Sequence, residues 1–282
     1  MTKRSIETEF VHAGERRPLP VGLPNATPIF ANSTYSYESM EEAERVFTGD
    51  LKDYIYTRYG NPTVDAFQDA ICTLEGGAVA RAYASGMAAL HAALLASDLA
   101  PGAVILATRD LYGASFDLIL NVFGPFGVKM QLVDFTDLDE LKRKTDELQP
   151  RVLLAETISN PLLKVLDITA VANIAHAVGA KVIVDSTFAT PYLARPLNFG
   201  ADLVVHSATK YLGGQCRRDG RSRHRPRRGG RTGTHQHHET RRRRPERLGS
   251  TFDLTRLENS RSSARKTVFE RGTPRRCSFA TR

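Results

Sequence analysis

Tryptophan is absent from the 282-residue chain, and cysteine is rare, with three residues at positions 72, 216 and 277. So few cysteines, odd in number, do not make a disulfide framework, which excludes a small disulfide-stapled scaffold and makes a reducing cytoplasm the expected compartment. Cys72, in AICTLEGG, reads as a small buried apolar side chain. No run approaches the roughly 18 apolar residues of a membrane span, so no membrane partner is expected. The opening MTKRSIETEFVHAGERR has no apolar core, so no secretory leader is expected either.

Acidic residues are scarce in one region only. Residues 1–214 hold 18 Lys+Arg and 25 Asp+Glu, a net of −7, while residues 215–282 hold 21 and 6, a net of +15. The overall charge of +8 therefore says nothing about the first three quarters of the chain. The change of composition falls inside SATKYLGGQCRRDGRSRHRPRRGG, residues 207–230.

What is present is regular alternation. Residues 1–60 read as irregular, with the turn-rich PLPVGLPNATP. Strands are expected over 78–85, 103–108, 129–135, 151–157, 181–187 and 201–209. Helices are expected over 64–76, 86–97, 115–123, 137–148 and 168–179. The strands are apolar without strict alternation, as in a sheet buried on both faces. Helices between them point to an α/β fold with a mostly parallel sheet and right-handed crossovers. The alternation stops near Gly214.

Open α/β sheets bind ligands beyond the carboxyl ends of their strands. Those positions hold Ser85-Gly86-Met87, Tyr112, Asn160, Asp185, and Ser207, Thr209 and Lys210. Each has a plainer alternative. Ser-Gly before a helix is often a simple N-cap, Tyr112 a packed surface tyrosine, Asp185 a turn cap and Lys210 a solvated cation. Together they form a phosphate cradle, an aromatic ring, a carboxylate and a lysine.

With these residues in this order, the chain resembles the Cys/Met-metabolism family of pyridoxal 5′-phosphate (PLP) enzymes from about Ile6 to Gly214. The stretches that carry the resemblance are TPIFANSTYSYES (27–39), YTRYGNPT (56–63), ASGMAA (84–89), DLYG (110–113), AETISNPLLKV (155–165), VDSTFATPY (184–192) and HSATKYLGG (206–214). The resemblance implies the large domain of a fold-type I PLP-dependent transferase, with a seven-stranded sheet and the C-terminal small domain missing. It implies that Lys210 is the Schiff-base lysine and later the general base, with an amine activated by a cationic or desolvated setting. Asp185 would face the pyridine nitrogen. Tyr112 would stack on the ring and serve as an acid or base. Gly86 and Met87, with Ser85, Ser207 and Thr209, would hold the phosphate, and Asn160 would lie near the phenolic oxygen. Tyr56 and Arg58 match an element that reaches the partner subunit's phosphate. The resemblance thus implies an amino-acid substrate, a homodimer with a shared site and a homotetramer in intact relatives. The chemistry implied is β/γ-elimination or γ-replacement at a C–S or C–O bond, of the cystathionine γ-synthase or γ-lyase type. O-acetylhomoserine sulfhydrylase and methionine γ-lyase are alternatives.

Three segments follow from this reading: 1–60 extending to a partner, 61–214 binding PLP, and 215–282 as an arginine-rich, disordered tail. The family continues past SATKYLGG with a segment like H-S-D-V-M-A-G. Here Cys216-Arg217-Arg218-Asp219-Gly220 follows, and codons exist for it that read Ala-Asp-Val-Met-Ala when shifted by one base. A frameshift near Gly214–Gln215 is therefore the expectation, and with it an inactive or poorly folded product whose sheet lacks the strand expected next. GSTFD (249–253) and KTVFER (266–271) echo later family segments. The competing reading, a basic arm for nucleic acid, lacks interleaved aromatics. THQHHE (234–239) has metal-ligand residue types but no supporting shell.

Overall fold

The computed structural model describes Pro24, residues 27–213 and the strand Lys266–Glu270. The first element corrects the expectation of an irregular N-terminal stretch: α1 spans Met40–Thr48. Its signals are in the sequence. Ser39 caps the Glu42 N–H, Glu41 and Glu42 lie in the first turn, and Gly49 closes the helix at φ +83°. Then come α2 (Pro62–Glu75), β1 (Val79–Tyr83), α3 (Gly86–Leu95) and β2 (Val104–Thr108). These are followed by α4 (Gly113–Leu118), which runs on as a π turn to Phe123, and by β3 (Lys129–Val133) and α5 (Leu138–Leu148). The series goes on through β4 (Val152–Glu156), α6 (Ile168–Ala177), β5 (Lys181–Asp185) and β6 (Leu203–His206). Side-chain caps start the helices where the sequence places Asn61, Ser85, Asp137 and Asp167.

One sheet of seven strands carries the fold, in the order β1-β7-β6-β5-β4-β2-β3. Strands β3, β2, β4, β5 and β6 are parallel. The seventh strand, β7, is Lys266–Glu270, and it lies antiparallel between β1 and β6, pairing Val268 with Arg81 on one side and Val205 on the other. Because β7 is antiparallel to both neighbours, β1 runs parallel to the other five. This corrects two expectations. The sheet does not lack a strand next to β6, and residues 266–270 of the supposed tail are part of the folded body.

Successive strand residues pack on opposite faces, as the pleat requires. Val152 and Leu154 join Leu90, Leu94, Ile119 and Phe123 on the face covered by α3 and α4. Leu153 and Ala155 join Phe67, Ile71, Leu141 and Val171 on the face covered by α2, α5 and α6. Burial on both faces explains the continuous apolar strands. One polar pair crosses this interior: His206 Nε2 and Glu75 Oε1 are 2.5 Å apart and fully buried, tying the end of α2 to the end of β6. Cys72 is buried against the Gly77 carbonyl.

Candidate active site

The parallel strands all present their carboxyl ends on one edge, and the predicted residues that follow β1, β2, β4, β5 and β6 lie there. Ser85 ends the β1 turn and caps α3 by accepting from the Ala88 N–H at 3.1 Å. The Gly86 and Met87 N–H groups lie in the first helical turn, where no helical acceptor exists. Tyr112 follows β2 and is exposed (51%). Asn160 follows β4, exposed, in a turn closed by Ser159 N–H to the Lys164 carbonyl and by the Ile158–Val165 bridge. Asp185 is the last residue of β5.

The β6 end is the most constrained. Ser207 is buried, and its Oγ has no hydrogen-bond partner among the described residues. Thr209 and Lys210 follow in a π turn, Ala208–Leu212, where Lys210 leaves helical geometry at φ −92°, ψ −122°. Gly213 closes that turn because nothing larger fits: a Cβ there would lie 2.5 Å from the Ala208 carbonyl oxygen. Lys210 is exposed.

Two residues of this edge were not singled out in the sequence. Thr187 holds Asp185 through two bonds to Oδ1, from its N–H at 2.9 Å and its hydroxyl at 2.5 Å. The same hydroxyl oxygen accepts the Ser207 N–H at 2.9 Å. The signal was the Asp-x-Thr spacing, which favours a local turn of this kind. Asp185 is therefore a turn cap as well as a strand-end carboxylate. Glu156 is the second. It ends the otherwise apolar VLLAE strand, is buried, accepts the Tyr112 N–H at 2.6 Å and pairs in register with Asp185. Burial pushes its carboxyl up to about 7, helped by the charges of Asp185 and Asp110 and opposed by the Tyr112 and Asn160 N–H groups.

Tyr56 and Arg58 lie apart from the strand ends, on a two-stranded contact with residues 33–35. The Asn61 amide donates to the Phe30 carbonyl at 3.0 Å and Phe30 N–H to Thr63 Oγ1 at 2.9 Å, so the first two resemblance stretches pack on each other. The Arg58 guanidinium sits 5.3 Å from the Tyr56 ring centre and 5.2 Å from that of Tyr59, all three exposed. Among the described residues no group of three or more His, Cys, Asp or Glu side chains is placed to hold a metal. Among the same residues no helix is long and apolar enough to cross a membrane. The arginine run after Gly214 and THQHHE lie outside the described residues.

The strand-end constellation fits a phosphorylated, cationic-ring cofactor. A buried hydroxyl without a partner and the first turn of α3 offer donors to an anion. The charge of Asp185 adds to the cost of ionising Glu156, and a cation against Asp185 would relieve it. Comparison with known proteins agrees. The family model for "Cys/Met metabolism PLP-dependent enzyme" matches residues 7–218, and the chain belongs to that family of PLP-dependent C–S lyases and transferases. It is 43% identical over 210 residues to a cystathionine beta-lyase of Lactococcus lactis subsp. cremoris, covering 74% of this chain and 52% of that protein. It is 41% identical over 215 residues to an L-methionine gamma-lyase of Fusobacterium nucleatum subsp. nucleatum, covering 76% and 53%. The crystal structure of metB from Corynebacterium glutamicum superposes with a TM-score of 0.65 at 31% identity, covering 95% of this chain and 56% of that one. The chain thus spans about half the length of the curated relatives it matches.

Proposed function

We propose that this chain binds PLP at the strand-end edge and descends from an enzyme that eliminates or replaces a group at the β- or γ-carbon of a sulfur amino acid. The observation that carries the reading is the convergence of Lys210, Asp185, Tyr112 and the Ser85-Gly86-Met87 turn on one sheet edge. When bound, PLP supplies an aldehyde for an amine and a ring that withdraws electrons.

The chain's own residues supply the rest. Lys210 Nζ would bond the cofactor and, once released, take the proton from the substrate α-carbon. The Asp185 carboxylate would hold the proton on the ring nitrogen, with Thr187 fixing its orientation through Oδ1. The free face of the Tyr112 ring would stack on the cofactor, and its hydroxyl would exchange a proton with substrate. Gly86 and Met87 N–H groups and the Ser207 and Thr209 hydroxyls would bind phosphate, and Asn160 would bond near the phenolic oxygen. Tyr56 and Arg58, held as an exposed cation–π stack, would complete the site of a second copy of the chain, making a homodimer the active unit.

Absorbance titration of the purified chain with PLP tests binding: a visible band that Lys210→Ala abolishes supports it, and no uptake contradicts it. Incubation with cystathionine then tests the chemistry. Pyruvate indicates β-elimination and 2-oxobutyrate γ-elimination, whereas amino-group exchange alone contradicts C–S chemistry.

A further inference from the structure

We infer that Glu156 is a positioning residue for this site, one carboxylate that fixes both ring-side loops, the Tyr112 loop after β2 and the Asn160 loop after β4. The inference rests on the PLP reading above for its consequence, but not for its geometry. Glu156 Oε1 accepts the Tyr112 N–H at 2.6 Å across 44 residues of sequence. The Asn160 N–H, four residues further along the chain, also favours the ionised form of that carboxyl. These are donors from two separate loops, and both belong to residues predicted to contact the cofactor ring. In the sheet, Glu156 stands directly beside Asp185. One buried side chain therefore bonds the Tyr112 loop, stands in register with Asp185 and faces the Asn160 loop.

A salt bridge repeats the connection further out. Lys164, beyond the Asn160 turn, bonds Asp110 at 2.9 Å and Asp134 at 3.2 Å. Asp110 lies two residues before Tyr112, so the two loops are clasped twice, once by Lys164 in partial solvent and once by Glu156 in the interior. An apolar residue at 156 would leave the Tyr112 N–H without its acceptor in a largely dry setting and take from the Asn160 N–H the negative charge it faces. A carboxylate accepts from both at once.

The groups facing Glu156 are Asp185 from β5, Asp110 and the Tyr112 N–H from the β2 loop, and the Asn160 N–H from its own loop. The two carboxylates oppose its ionisation and the two donors favour it. Because the folded carboxyl sits near 7 against an ordinary 4.5, the folded chain holds a proton there that the unfolded chain has released. Glu156 therefore makes folding stability fall as pH rises from 4.5 to 7 and contributes no slope above.

The test uses the full chain without cofactor, as wild type, Glu156→Gln and Glu156→Ala. Hydrogen exchange is followed in peptides covering residues 109–118 and 157–163. The inference predicts that Glu156→Ala accelerates exchange in both loops about tenfold or more. Glu156→Gln keeps much of the protection, because its amide oxygen still accepts. Glu156→Gln also removes a downward slope of unfolding midpoint between pH 4.5 and 7, which a merely space-filling residue would not carry. Exchange equal to wild type in both loops for both variants overturns the inference, as does acceleration in one loop only. PLP titration of the same proteins is the second reading: uptake by wild type, with Glu156→Ala about tenfold weaker, supports the positioning role. If wild type takes up no PLP, the functional proposal falls while the exchange data still decide the role of Glu156.

Discussion

Thr187 and Asp185 form a closed unit: one threonine gives its N–H and its hydroxyl to the same carboxylate oxygen, Oδ1. Its hydroxyl oxygen then accepts the Ser207 N–H, so the ends of β5 and β6 are joined through one side chain. Thr187→Val removes the hydroxyl while keeping the shape. It leaves the Ser207 N–H unpaired and Asp185 with one donor fewer, so a loss of about 1–3 kcal/mol is expected. Thr187→Ser should recover most of it. Urea unfolding of the three proteins checks this, and equal midpoints for Val and wild type would contradict it.

Asp134 supplies an acid-side dependence. Two bonds from Thr136 hold its carboxyl down to about 2, with Lys164 adding to the effect. A folded value below the ordinary 3.8 means the stabilisation is complete above pH 4 and disappears as pH falls through 2. Asp134→Asn should lower the unfolding midpoint at pH 6 and converge with wild type at pH 2. A constant difference across that range would show that its charge is not responsible.

Gly200 is required by its place in the fold. Its φ is +105°, and an added Cβ would lie 2.7 Å from the Ala172 Cβ on α6. Backbone strain and overpacking act together in Gly200→Ala, with an expected cost of about 1–3 kcal/mol. Thermal unfolding measures it, and a variant that melts like wild type would refute the close approach of α6 to this turn.

The seventh strand makes a prediction about the arginine-rich quarter. Lys266–Glu270 is bonded on both sides, to β1 and to β6. Val268→Pro puts a residue without an N–H in the middle of that ladder, with an expected cost of about 1–3 kcal/mol. If the variant unfolds at the wild-type urea concentration, the strand is not part of the stable sheet.

The fold was legible because its strands are apolar on both faces and its helices carry their caps in the sequence. Helix α1 escaped notice although Ser39 and Gly49 bound it and Met40, Ala43, Val46 and Phe47 recur at helical spacing, because the stretch is short and largely charged and only Val46 of its nine residues is buried. Strand β7 escaped for a different reason. KTVFE is short, sits within a polar, arginine-rich stretch and is paired with strands more than 50 residues earlier. Such non-local pairing leaves no periodic trace. Lys210, Asp185 and Tyr112 stood out in the sequence because strand ends are where such sheets bind ligands, and each does follow or end a strand. Glu156 did not stand out, since its bond is to the Tyr112 loop, 44 residues away in sequence.

The most direct measurement is the absorbance of the purified chain with PLP, for wild type and Lys210→Ala. A visible band that saturates with PLP, resists gel filtration and is missing from Lys210→Ala is the predicted result. Unaltered spectra for free PLP in both proteins would contradict the account at its centre.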